Sequence, residues 1–71
     1  MKTDSEYLKM FGRQIQELRK ELGISQAELA FRTGFHRTYI GMIERGERNI
    51  TLSNLLRLAK GLNKNIKDLF Y

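Results

Sequence analysis

Guanidinium and ammonium groups in excess over carboxylates are the chemistry this sequence offers first. Its 71 residues carry 13 Lys/Arg against 8 Asp/Glu, a net charge of +5. The excess is uneven. Residues 1–31 hold five basic and five acidic side chains, whereas residues 32–67 hold eight basic ones against Glu44 and Glu47 alone, a local net of +6. Clustered cations of this kind attract nucleic acid or another anionic surface. Reaction chemistry is missing by comparison. The sequence has no nucleophile–base–orienter set, no paired carboxylates for a cleft and no glycine-rich phosphate loop. The chain is therefore expected not to be an enzyme. Its single histidine, His36, has no cysteine with which to hold a metal. No metal, cofactor or small-molecule ligand is expected.

Those side chains need a scaffold, and length limits it to one small domain over residues 1–71, with residues 1–4 expected as a tail. At this size a fold buries only about 60–65% of its unfolded surface. No cysteine is available to staple it, so helix or strand packing must suffice. No uncharged run approaches a membrane span, and Met1-Lys2-Thr3-Asp4-Ser5-Glu6 lacks the apolar stretch of a signal peptide. A cytoplasmic protein is expected.

The scaffold reads as helical. Leu8, Phe11, Ile15, Leu18 and Leu22 recur at alternating steps of three and four, which makes one apolar stripe. Asp4 or Ser5 is placed to cap this helix and Gly23 to end it. Gly12, inside the stripe, costs about 1 kcal/mol against alanine and reads as tolerated. Ser25 and Glu28 have capping-box spacing at the start of a second helix, with Ile24 placed to staple onto Leu29 and Gly34 at the stop. A third helix over 37–45 carries Ile40 and Ile43 and ends at Gly46. Thr51 caps a fourth, with Leu52, Leu55, Leu56, Ala59 and Leu62 as its buried face. Asn65 caps a short fifth, anchored by Ile66, Leu69 and Phe70. Five short helices make an all-α domain.

The junction of the second and third helices narrows the reading. Two helices this short cross steeply, as in a helix-turn-helix. The crossing needs a small residue where the backbones touch, which Ala30 supplies. Four positions later it needs a residue that accepts positive φ, which Gly34 supplies. Ile40 and Ile43 then stand at the offsets that point back onto the core. Phe35 is expected to pack over the turn.

The run Gln26-Ala27-Glu28-Leu29-Ala30, followed by Gly34, Tyr39-Ile40 and Ile43-Glu44-Arg45-Gly46, resembles the Xre-type, lambda-repressor-like family of bacterial and phage DNA-binding domains. The likeness extends back through Phe11-Gly12-Arg13 and Leu18-Arg19, and forward through Leu55, Leu58-Ala59 and Leu62 to Asp68-Leu69-Phe70. Within that family, residues 37–49 most resemble the controller proteins of restriction–modification systems and small stand-alone regulators. Gly41 departs from the serine or polar residue common there, which implies a slightly loose third helix. The resemblance implies a compact five-helix lambda-repressor-like fold with its helix-turn-helix at helices two and three. It also implies a transcriptional regulator, a repressor among its relatives' roles, that binds double-stranded DNA sequence-specifically.

Residue roles follow from the same resemblance. The third helix would lie in the major groove. With Ile40 and Ile43 turned to the core, His36, Arg37, Thr38 and Met42 would face base edges. Arg37 leads, because a guanidinium bonds guanine O6 and N7 together. Gln26, Tyr39, Arg45, Arg48 and Asn49 would touch phosphates, setting affinity rather than sequence choice. The alternative for Arg45 and Arg48 is pairing with Glu44 and Glu47 on a solvated face. Arg19 and Glu44 would form a partly buried structural ion pair. One domain reads only about four or five base pairs, too few for selectivity in a genome. Relatives therefore bind pseudo-palindromic operators as homodimers. Leu69, Phe70 and Tyr71 are the expected dimer interface. Two other readings stand beside this one: a protein-interaction module (antitoxin or adaptor), and the isolated DNA-binding domain of a larger regulator.

Overall fold

The computed structural model describes residues 2–70. Helix α1 spans Asp4–Glu21, α2 Gln26–Thr33, α3 Arg37–Glu44 and α4 Leu52–Gly61, and a 3₁₀ helix covers Ile66–Leu69. The described residues contain no strand, so the all-α expectation holds, but as four α-helices and one 3₁₀ turn rather than five helices. The last segment is too short for an α-ladder. Its backbone bonds run from Asp68 N to Asn65 O at 2.9 Å and from Phe70 N to Lys67 O at 3.3 Å, both with i+3 spacing.

Helix α1 starts earlier than the sequence suggested. Thr3 is the cap: its hydroxyl accepts from Glu6 N at 3.2 Å, and Glu6 Oε1 accepts from Thr3 N at 3.3 Å. This reciprocal pair satisfies two donors that Ser5 or Asp4 would leave open. Residues 3 and 4 thus take part in the helix start rather than in a tail. At α2 the box is half made. Ser25 Oγ accepts from Glu28 N at 3.0 Å, but the Glu28 carboxylate accepts from Arg32 Nε one turn on, at 3.0 Å, and does not reach back.

The core is formed by Phe11, Ile15 and Leu18 of α1, Leu29 and Ala30 of α2, Ile40 and Ile43 of α3, Leu58, Ala59 and Leu62 at the end of α4, and Leu69. Helix α4 is turned relative to its expected face. Leu58 is fully buried, while Leu52 and Leu56 are 66% and 52% exposed. The reason lies at the far end of α4, where Gly61 comes so close that a Cβ there would stand 2.6 Å from Thr33 Cγ2 and 3.3 Å from Leu29 Cδ1. That contact with α2 fixes the register, and only one of the two leucine rows can then face inward.

Gly12 is a requirement rather than a tolerated cost. A Cβ at Gly12 would collide with the carbonyl oxygens of Ile43 and Glu44, the latter at 2.6 Å. Its missing side chain lets α1 lie directly on the end of α3. Gly34 takes φ of 77° and closes α2 by donating its amide to Ala30 O at 2.9 Å, as the turn demands.

Candidate nucleic-acid interface

Helix α3 has eight residues, and its two sides have opposite surroundings. Ile40, Gly41, Ile43 and Glu44 are buried. His36, Arg37 and Thr38 are exposed at the cap and first turn. Among the described residues, the side chains of these three have no hydrogen-bond or ion-pair partner. Met42, one turn further along, is half-buried. The edge expected to read bases is therefore open to solvent, and the side that must hold it is closed.

The closed side is held by charge as well as packing. Arg19 Nε and Nη2 donate to Glu44 Oε2 and Oε1 at 2.6 and 3.0 Å, a bidentate pair. The two side chains are 10% and 1% exposed. Arg19 Nη1 also donates to Ile24 O at 3.0 Å, which ties the α1–α2 turn to the same group. The bonds it donates to Glu44 hold the Arg19 guanidinium above its ordinary pKa, so it is charged at any pH of interest. Among the described residues no buried side-chain polar atom lacks a partner. The pair that the resemblance implied is thus in place, with Gln26 added: its Nε2 donates to Glu44 Oε1 at 3.0 Å. Gln26, expected on a phosphate, gives one of its two amide protons to Glu44 and keeps the other.

The four remaining phosphate candidates differ in setting. Arg45 Nε and Nη2 donate to the Glu47 carboxylate at 2.9 and 3.2 Å, on the surface. Arg48 has no carboxylate partner among the described residues and lies over the Tyr39 ring, 5.3 Å from its centroid. Asn49 Oδ1 accepts from the next amide, Ile50 N, at 3.1 Å. Tyr39 is half-buried, its ring meeting Phe35 edge-on at 5.0 Å between centroids. Phe35 packs over the turn as expected.

Two residues were not singled out in the sequence. Arg57 Nε and Nη2 donate to Thr33 O at 3.1 and 2.7 Å, and its guanidinium lies 4.2 Å from the Phe35 ring centroid. It covers an open carbonyl at the end of α2 and fastens the turn to α4. Asn54 Nδ2 donates to Tyr39 Oη at 3.2 Å. Neither has a signal in the apolar periodicity; the charge count marks Arg57 only as one cation among several. The expected dimer residues also divide. Leu69 is fully buried in its own chain and is unavailable to a partner. Phe70 is half-exposed, 5.8 Å from the Phe11 ring. Tyr71 lies outside the described residues.

The helix-turn-helix family model HTH_3 matches residues 15–69. The chain is similar to the control protein C.SmaI of Serratia marcescens, 49% identical over 55 residues, a span of 78% of this chain and 66% of that protein, just under two thirds. The crystal structure of the restriction-modification controller protein C.AhdI from Aeromonas hydrophila has a TM-score of 0.87 at 46% identity, over 89% of this chain and 96% of that one. Wild-type restriction-modification controller protein C.Esp1396I has a TM-score of 0.82 at 35% identity, over 89% of this chain and 82% of that one. Structures of that protein with single substitutions at an arginine, a threonine and a tyrosine in consecutive positions are similar too.

Proposed function

We infer function from one premise: this chain belongs to the HTH_3 helix-turn-helix family. It is a DNA-binding transcriptional regulator and not an enzyme. It acts on double-stranded DNA, as a homodimer on a two-fold operator, in the manner of the restriction–modification controller proteins it is similar to. No helix of the described residues is long and apolar enough to cross a membrane, and the cytoplasm, where the DNA lies, is the compartment such a regulator needs.

The observation that carries this reading is the open first turn of α3 on a closed support. Arg37 and Thr38 are exposed and, among the described residues, have no side-chain partner, while Ile40, Ile43 and Glu44 behind them are buried. In this arrangement Arg37 takes a guanine, Thr38 offers a hydroxyl or methyl, and His36 and Met42 border them. Arg37-Thr38-Tyr39 has the same three residue types, in the same order, as the three substituted positions of C.Esp1396I. Arg48, Arg45, Tyr39 and Asn49 hold phosphates on either side, and Gln26 acts first through Glu44. For the dimer seam, Leu52 and Leu56 replace Leu69. They lie one turn apart on α4 and are the larger exposed apolar pair, and Phe70 is a further candidate.

Selection of bound sites from a random duplex pool with the purified chain tests this reading. The expected product is a pseudo-palindrome with half-sites about 34–36 Å apart. Recovery of no common sequence would favour the interaction-module reading. Sedimentation of a Leu52→Glu, Leu56→Glu variant is expected to give monomers, and an unchanged dimer would remove α4 from the seam.

A further inference from the structure

Tyr39 is held from three directions. Phe35 meets the ring edge-on at an interplanar angle of 73°, Arg48 lies over the ring, and Asn54 Nδ2 donates to the phenol oxygen at 3.2 Å. Asn54 sits in the first turn of α4, where its own amide donates to Thr51 Oγ1 at 3.2 Å. The donor is therefore carried on a capped helix start rather than on a loop. A phenol has one proton and further acceptor capacity. With an amide donor on one side of the oxygen, the phenol proton turns away from that side. Among the described residues it has no acceptor.

We propose that Asn54 is a positioning residue for DNA-backbone binding, fixing the Tyr39 hydroxyl as a hydrogen-bond donor to a phosphate oxygen beside the Arg48 guanidinium. The inference rests on the duplex-DNA reading above and adds a neutral α4 residue to it. A hydroxyl donating to an ionised oxygen makes a short, charge-assisted bond. Aiming it in advance removes a rotor that binding would otherwise have to order. Aspartate at position 54 reverses the polarity. A carboxylate only accepts, so it takes the phenol proton for itself.

The test is a double-mutant cycle on binding to the operator recovered by site selection. Affinities of the full chain and of Asn54→Ala, Tyr39→Phe and the double variant are measured, each well below its unfolding temperature. The single variants are expected to weaken binding by about 3- to 30-fold, and the double variant to bind no more weakly than Tyr39→Phe. A duplex with a neutral methylphosphonate at the contacted phosphate should abolish the effect of Asn54→Ala. Asn54→Asp should lose at least as much as Asn54→Ala. A merely structural role for Asn54 would give losses that multiply in the double variant, and that result overturns the proposal. So does Asn54→Asp binding as tightly as the unmodified chain. An unmodified chain that fails to bind duplex DNA defeats the reading beneath. An unmodified chain that binds, alongside an Asn54→Ala variant that binds equally, defeats only the role of Asn54.

Discussion

Two arginine–glutamate pairs meet at the end of α3, and they have nearly the same geometry. Arg19 grips Glu44 at 2.6 and 3.0 Å; Arg45 grips Glu47 at 2.9 and 3.2 Å. The difference is water. The first pair's side chains are 10% and 1% exposed, the second's 59% and 49%. Distance alone would rank them together. Burial separates them, because a charge that cannot return to water is costly to strand, whereas an exposed one is rehydrated as soon as its partner leaves. The buried pair can therefore hold the recognition helix in place. The exposed pair can give way to an incoming phosphate.

Breaking the buried pair is the largest expected effect. Arg19→Ala or Glu44→Ala should each destabilise the fold by about 3–5 kcal/mol, read by denaturant unfolding, because each strands the other charge. The double variant should lose far less than both losses added together, since no charge is left stranded. Additive losses would reduce the pair to two separate packing effects and break the comparison. Next in size is the approach that brings α1 to the pair. Gly12→Ala must push α1 away from the Ile43 and Glu44 carbonyls. It should destabilise by about 1–3 kcal/mol, although alanine is the better helix former.

Gly12 also marks where the sequence stopped being readable. Local signals were legible: the Ser25 cap, the Gly34 turn and the inward row of Ile40 and Ile43 are set by residues close to one another in the chain. What failed needed a distant partner. Gly12 reads as a weak spot until α3 is laid on it. Leu52 and Leu56 read as part of the buried face, and Leu58 does not, until Gly61 meets Thr33 and Leu29. The bond from Gln26 to Glu44, eighteen residues apart, is likewise invisible until the helices are packed. In the site, the outward residues could be deduced by subtraction, as the face left over when the isoleucines turn inward. Their supports, Asn54 and Arg57, reach across from α4 and left no trace in spacing or composition.

The outward edge sharpens the same contrast, because its residues should change binding without changing stability. Arg37→Ala should cost about 1–3 kcal/mol of operator binding and relax one base position. As an exposed change, it should leave unfolding within about 0.5 kcal/mol of the parent. Arg48→Ala should weaken binding to all sequences alike and flatten the salt dependence by about one unit. A titration of both variants against operator and scrambled duplex from low to high salt separates the two roles. Loss of stability in Arg37→Ala would mean that the edge is part of the support.

The smallest effect concerns the exposed pair, and it runs opposite to the others. In the unbound protein the Arg45 guanidinium is occupied by Glu47, so on the proposed reading a phosphate would have to displace a carboxylate already there. Hydrogen bonds from Arg45 hold the Glu47 carboxyl below its usual pKa. A carboxylate with a lowered folded-state pKa favours the folded pairing above its ordinary range and loses it only as pH falls through the lowered value. The competition should therefore persist unchanged from about pH 5 to 8. Glu47→Gln removes the competitor. It should tighten binding to every duplex by a few fold, steepen the salt dependence by up to about one unit and leave the unfolding midpoint where it was. Adding Arg45→Ala should erase the gain, since the freed cation is its source. If Glu47→Gln instead lowers the unfolding midpoint while binding stays the same, the surface pair is a brace like the buried one, and solvent exposure does not decide which pair yields.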